Sequence, residues 1–388
     1  MKILNICMSA PFTENYSYQD NLLTEYQRKM GHDVTIITSQ KTRDNQGKIY
    51  CTEQCDKILD NGVRLIRIKL NNKFFRFIGF YPQLKRVISE CQPDFIFIHG
   101  LCSFIPLQAI NYKKKHLDCI IVADNHQDLG TTKVEGFPFA FQMFVYRFFW
   151  KYWIKYVEKV YGTTSWRRTF AHNYYGIPYE KLDVLIMGID SDKNPENPDL
   201  VRKTVRQELN IPEESFVFVT GGKLDNNKNI IMSMQAFGCL ENNKNRFLIF
   251  GSVADEIKKE FFEIINKDNR FIYLGYIKSS DVKKYFYASD FGVFPGRHSV
   301  LWEEAIGCGL PCVFRRYEDK DHVEVCDNCI CLDKVYKNTI YEIIKKVSES
   351  EEYYMQLREN ARKAVGVFSY RQIAEKSVEC YKMTEMRE

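Results

Sequence analysis

Two stretches in the second half of the chain carry the residue types that grip a phosphate. The first, Gly221-Gly222-Lys223-Leu224-Asp225-Asn226-Asn227-Lys228-Asn229, sets two glycines and two lysines ahead of an apolar helical pattern. Glycines let a backbone approach an anion closely, and lysines supply compensating charge without a metal ion. The second runs from Phe294-Pro295 through Gly296-Arg297-His298-Ser299 to Glu304-Ala305-Ile306-Gly307-Cys308-Gly309-Leu310-Pro311. It reads strand, loop, helix, glycine-rich helix end. A helix beginning near Val300 would turn its unpaired N–H groups and positive dipole end toward an anion. Glu304, one turn in, could accept hydrogen bonds from a ribose diol. Glu303 is expected to face away, because adjacent helical positions diverge by about 100°. In the first half, His126 stands among Asp124, Asn125 and Asp128 at the end of an apolar run, and His99 ends another. Histidines at strand ends suit orienting or polarising a bound group.

Parallel α/β architecture is the frame that brings such loops together. Short apolar runs alternate with helical patterns throughout, as βαβ units require. In the first half the expected strands are Ile3 to Met8, Val34 to Ile37, Phe95 to Ile98, Cys119 to Ala123 and Val184 to Met187. The pattern restarts with Phe216 to Val219, Phe247 to Phe250, Phe271 to Leu274, Phe291 to Phe294 and Cys312 to Phe314, with a helix over Ile230 to Leu240. Between the halves, Asp190 to Pro198 holds two prolines and no apolar residue, as a hinge or linker would. The 388 residues suit two domains. We place an N-terminal Rossmann-like domain at 1–192, a second at 193–365, and a terminal helix at 366–388 crossing back to the first. Two doubly wound sheets facing each other would share a cleft at the carboxyl ends of their strands.

The ordered pieces MGHDVTIIT (Met30 to Thr38), PDFIFIHG (Pro93 to Gly100), VADNHQD (Val122 to Asp128), GIPYEKLDVLIMGID (Gly176 to Asp190), GGKLDNNKN (Gly221 to Asn229), LGYI (Leu274 to Ile277), ASDFGVFP (Ala288 to Pro295) and EAIGCGLPCV (Glu304 to Val313) resemble family 4 of the retaining glycosyltransferases. The resemblance spans essentially the whole chain and implies the GT-B fold. It implies transfer of a sugar from a nucleotide diphosphate sugar to a glycan or lipid-linked acceptor, with a uridine diphosphate sugar favoured over a guanosine one and no cofactor or metal. Gly222, Lys223 and Lys228 then lie at the donor diphosphate, with the two lysines also counted as catalytic. Glu304 matches the ribose contact, and Tyr276 and Ile277 match the segment that reads the base. Ser299, Val300 and Leu301 match amides around the transferred sugar and phosphate. His126 matches the histidine near the reactive carbon on the acceptor side, where Tyr16, His99 and Asp128 are also placed.

Two departures from the family stand out. Its first glutamate would fall at Gly296, leaving His298 or Arg297 as a substitute polar contact to the sugar. Its paired N-terminal glycines are replaced by Tyr16-Ser17-Tyr18-Gln19. The missing glutamate keeps open a catalytically inactive nucleotide-sugar-binding scaffold, and an epimerase or hydrolase on the same fold is a third reading. Cys326, Cys329, Cys331 and His322 have the composition of a zinc site, but an ordinary turn and strand are expected there. Thirteen unpatterned cysteines and no signal-peptide pattern point to a cytoplasmic chain.

Charge is uneven. Residues 1–190 carry 25 Lys and Arg against 18 Asp and Glu, out of chain totals of 55 and 50. The aromatic and basic run Phe137 to Tyr161 suits contact with an anionic membrane surface, at the inner face of the plasma membrane. A core helix with snorkelling lysines is the competing reading, favoured at the Trp153 end. No nucleic-acid reader motif is present.

Overall fold

The computed structural model describes residues 1–44, 48–69, 79–129 and 137–381. The chain divides into two compact units: Met1–Met187 with Tyr370–Glu388, and Gly188–Ser369.

The first unit is built on an eight-stranded sheet. Its strands are β1 (Lys2–Cys7), β2 (Asp33–Ser39), β5 (Cys55–Ile58), β6 (Arg64–Ile68), β7 (Phe95–His99), β8 (Ile120–Asn125), β9 (Lys159–Gly162) and β10 (Leu182–Val184); β3 (Lys41–Arg43) and β4 (Ile49–Cys51) form a separate antiparallel pair. The order is β10-β9-β8-β7-β1-β2-β6-β5, parallel except for the antiparallel edge strand β5. Side chains of β1 alternate between two cores: Leu4 and Ile6 enter one cluster, Ile3 and Cys7 the other. A sheet covered on both faces requires unbroken apolar runs rather than alternation, which is why its strands are legible as such. Asn5 is the exception within β1, fully buried in the run.

The second unit holds a six-stranded, wholly parallel sheet. Its strands are β11 (Val217–Gly221), β12 (Arg246–Phe250), β13 (Phe271–Tyr273), β14 (Phe291–Phe294), β15 (Cys312–Arg315) and β16 (Cys329–Leu332), in the order β13-β12-β11-β14-β15-β16. Phe218, Phe247, Ile249, Phe291 and Val293 pack on one face with Met234 and Phe237 of helix Ile230–Gly238.

Several expected boundaries shift. The last strand of the first unit is Leu182–Val184, not Val184 to Met187, because the ladder with β9 ends at Val184. Gly221 belongs to its strand, paired with Phe250, and only Gly222, at φ +105°, turns the chain. The units part after Met187 and Ser369 rather than after 192 and 365. The reason is local pairing: Ile189 N–H donates to Phe368 O at 2.8 Å, and Ile189 bridges Ser369. The expected linker is therefore ordered. Asp190 is buried, Lys283 Nζ donates to its carbonyl at 2.6 Å and to Asn194 Oδ1 at 2.9 Å, and Asn197 caps helix Pro198–Glu208 through Leu200 N–H. Helix Tyr370–Ser377 counts with the first unit, where Tyr370 stacks on Tyr26. Residues 382–388 of the expected terminal segment lie outside the described residues.

Candidate active site

In the second unit, the loops leaving β11 and β14 are laced together. Arg297 N–H donates to Asn227 O at 2.7 Å, Asn229 Nδ2 to Pro295 O at 3.0 Å, and Lys228 Nζ to Arg297 O at 2.6 Å. Adjacent parallel strands produce this juxtaposition, since both loops leave the carboxyl edge of one sheet. Gly296 sits so close to Lys228 that a Cβ there would lie 2.4 Å from the lysine's backbone Cα, C and O. That position is therefore closed to any side chain. Gly222, in turn, faces Leu301, whose Cδ1 would lie 3.1 Å from an added Cβ.

Lys228 and Lys223 differ. Lys223 is exposed and 3.8 Å from Asp225. Lys228 is half-buried, and desolvation pulls its ammonium down to about 8, against the opposing pull of Asp225. Glu304 shows the reverse shift: burial, with the neighbouring Glu303 charge adding to it, pushes its carboxyl up to about 7 despite Lys283. Helix Leu301–Gly307 is only seven residues long and has no side-chain cap, so its dipole is a smaller anion site than the sequence suggested. Ser299 Oγ is buried without a hydrogen-bond partner among the described residues. Such a hydroxyl is costly unless a ligand satisfies it. Tyr276 is exposed and Ile277 half-buried after β13.

His298 departs from expectation. Glu303 turns away from Glu304, into the protein rather than into solvent. It is fully buried, with its Oε1 2.8 Å from both His298 Nε2 and His322 Nε2. The offset of about 100° that separates it from Glu304 aims it inward at two imidazoles. Despite burial, these histidines hold its carboxyl far below the usual range. The His298 ring is thereby enclosed, with a side chain only 5% exposed, and serves as a strut rather than an open contact to a sugar. His322 meets Glu303 instead of the cysteine run; Cys326 is exposed, and none of the 13 cysteines forms a disulfide. The three ligand-type atoms of His298, Glu303 and His322 lie within 4.8 Å of one another, as do those of His99, Asp124 and His126 in the first unit.

In that first unit, fully buried Asp124 at the end of β8 bridges two histidines. Its Oδ2 is 2.9 Å from His99 Nδ1 and its Oδ1 3.1 Å from His126 Nε2, with Gly100 N–H donating to Oδ1 at 3.0 Å. His126 is the exposed member and His99 is buried. Asp128 is directed elsewhere, to Arg167 Nε at 3.0 Å, and Tyr16 reaches Asp44 O at 3.4 Å. His99 and His126 are thus brought together, while Asp128 and Tyr16 have other partners. A polar pocket lined by Lys2, Asp33, Arg64, Glu90 and Cys91 opens at the opposite ends of these strands, away from His99 and His126.

Two parallel-sheet units in one chain, with ligand-type loops at the carboxyl ends of their strands, define the GT-B class. The sequence model for Glycosyltransferase Family 4 matches residues 21–193, and that for Glycosyl transferases group 1 matches residues 201–364. The chain belongs to this family of glycosyltransferases. Its fold is shared with several solved structures at low sequence identity. A glycosyltransferase from Rickettsia africae is similar at a TM-score of 0.71 and 14% identity, over 98% of each chain. Sucrose-phosphate synthase from Thermosynechococcus elongatus is similar at 0.69 and 15%, over 100% of each. Anabaena Alr3699/HepE in complex with UDP-glucose is similar at 0.64 and 15%, over 99% of this chain and 100% of that one. No curated protein matches the sequence significantly.

Proposed function

We propose that the chain transfers a sugar from a uridine diphosphate sugar to a glycan or lipid-linked saccharide acceptor, with retention and without a metal ion. The observation that carries this reading is the lacing of the β11 and β14 loops, which sets Lys228, Ser299 and the start of helix Leu301–Gly307 on one side of the second unit. Uridine is favoured because the Anabaena structure holds UDP-glucose. As the bond from the anomeric carbon to the diphosphate breaks, negative charge gathers on the leaving phosphate. Preorganised donors there lower the barrier, each by about 3 kcal/mol. Lys228 and Lys223 supply charge, Ser299 Oγ and the backbone around Val300 and Leu301 supply donors, and Glu304 accepts from the ribose. The acceptor hydroxyl forms the new bond on the same face, and its proton passes to the departing phosphate oxygen. His126 orients the acceptor.

No described helix is long and apolar enough to cross a membrane. Helix Phe137–Trp153 nevertheless exposes Phe141, Phe144, Phe148 and Tyr152, a stripe at helical spacing, beside exposed Arg147, Lys151 and Lys155. Trp150 and Trp153 on its other side are buried. This supports peripheral contact with an anionic bilayer carrying a lipid-linked acceptor.

The test is transfer of labelled sugar from UDP-, GDP- and ADP-sugars into lipid and glycan fractions. Acceptor-dependent product from a UDP-sugar is expected. Nucleotide release without acceptor-dependent product would favour a hydrolase or epimerase, and tight binding without turnover a scaffold. Replacing Lys151 and Lys155 by Glu is expected to cut binding to anionic liposomes; unchanged binding would remove the membrane reading.

A further inference from the structure

A chain of buried polar groups runs from His126 through the centre of the first unit to helix Tyr370–Ser377, and its hydrogens can be assigned one by one. Ser377 Oγ–H donates to Ala374 O at 2.7 Å. A hydroxyl has one hydrogen, so toward Gln27 it accepts, and Gln27 Nε2 donates to it at 3.0 Å. Gln27 therefore turns its carbonyl oxygen to Asn5, whose Nδ2 donates at 2.9 Å. Asn5 in turn offers Oδ1 to His99 Nε2 at 3.4 Å, while His99 Nδ1 faces Asp124 Oδ2 at 2.9 Å. Both ring nitrogens of His99 thus face acceptors. Asp124 Oδ1, also an acceptor, is the group that meets His126 Nε2. Asn5, Gln27, Asp124 and Ser377 are fully buried, and His99 nearly so.

We propose that this chain fixes His99 as a permanent imidazolium and His126 as the Nε2–H tautomer, so that His126 presents Nδ1 as a hydrogen-bond acceptor to an acceptor hydroxyl next to the attacking one, whose own proton goes to the phosphate. Asn5, Gln27, His99 and Ser377 are then positioning residues for His126, and the terminal helix sets the polarity of the first unit's site from its far end. The inference rests on His126 being the acceptor-side histidine. The charges around His99 agree. Burial alone would lower its pKa, but Cys7, Asp124 and Asp20 outweigh burial and hold it well above the usual histidine range. Burial pushes the Cys7 thiol itself up to about 12, so at neutral pH the charged neighbours of His99 are the Asp124 and Asp20 carboxylates. Asp20 Oδ1 lies 3.6 Å from His99 Nδ1, and the Phe97 ring stacks on the imidazole at 4.5 Å. For a neutral His99 to accept a hydrogen bond at Nε2, both amides would have to reverse and the Ser377 hydroxyl turn away from Ala374 O.

The test is two-bond 1H–15N NMR of the histidine-labelled full chain from pH 6 to 9. His99 doubly protonated at pH 8, with His126 neutral and carrying its proton on Nε2, is the expected result. A neutral His99 at pH 7, or a proton on His126 Nδ1, overturns the proposal. Asn5→Leu should bring the His99 titration down by at least about one pH unit and raise the KM for acceptor by about tenfold, leaving UDP affinity unchanged. Asn5→Asp, which keeps an acceptor at Nε2, should rescue both; failure to rescue in a folded variant counts against it. The NMR result stands apart from turnover, so a protein that transfers no sugar but shows these states would sink the functional reading alone.

Discussion

Placing a glutamate at Gly296, where the sequence resemblance would put one, should disable this chain rather than improve it. In Gly296→Glu, the new Cβ would start 2.4 Å from three backbone atoms of Lys228, and backbone cannot rotate aside as a side-chain tip can. Overpacking of this kind costs about 1–3 kcal/mol. The displacement also strains three hydrogen bonds between the loops: Arg297 N–H to Asn227 O, Asn229 Nδ2 to Pro295 O and Lys228 Nζ to Arg297 O. At about 1 kcal/mol each, their loss brings the total to roughly 4–6 kcal/mol. For a unit of this size each kcal/mol lowers Tm by about 2–4 °C, so a fall of about 10 °C is expected for the second unit. Scanning calorimetry with and without UDP reads both effects, since the same displacement moves Lys228 and should abolish stabilisation by the nucleotide. Gly296→Ala, which introduces the clash without the charge, should reproduce most of the loss. A Gly296→Glu protein with wild-type Tm and wild-type response to UDP would refute the steric argument.

Nucleotide affinity should peak between about pH 7 and pH 8: below, Glu304 is protonated and loses its acceptor role, and above, Lys228 loses its charge. Calorimetric titration with UDP across pH 6 to 9 checks this, and Glu304→Gln should flatten the lower limb alone. Glu303, whose pKa is depressed from 4.5 by His298 and His322, contributes stability that is present above that value and lost as pH falls below it. Glu303→Gln should therefore make the acid limb of urea-measured stability shallower. Asp290→Ala should destabilise the second unit by about 3–5 kcal/mol in denaturant titration. It strands buried Arg206, whose guanidinium lies 2.7 Å from the carboxylate, and removes the acceptor for Val217 N–H.

The strands were readable because a parallel sheet buried on both faces writes itself as unbroken apolar runs, as in Ile120-Ile121-Val122-Ala123. The loops after β11 and β14 could be located from the glycines that follow each strand, although a turn of glycine, lysine and asparagine is more often a solvated surface loop. What could not be read is what a buried polar side chain faces. Helical spacing turned Glu303 away from Glu304, but nothing local showed that His298 and His322 would meet it there. Asn5 left a trace, a lone amide inside Ile3-Leu4-Asn5-Ile6, yet its partners Gln27 and Ser377 lie on distant helices. Gly296 read as a missing glutamate, whereas its close approach to Lys228 exists only once two loops from neighbouring strands are folded together. The antiparallel strand β5 was missed because Cys55-Asp56-Lys57-Ile58 is an exposed edge and carries no buried pattern.

The central claim is that the laced loops of the second unit hold a nucleoside diphosphate. A crystal structure with UDP tests it most directly: the ribose diol is predicted within hydrogen-bond distance of the Glu304 carboxylate, with the diphosphate reached by Lys228 Nζ and Ser299 Oγ. A nucleotide bound elsewhere, or a ribose remote from Glu304, would contradict it.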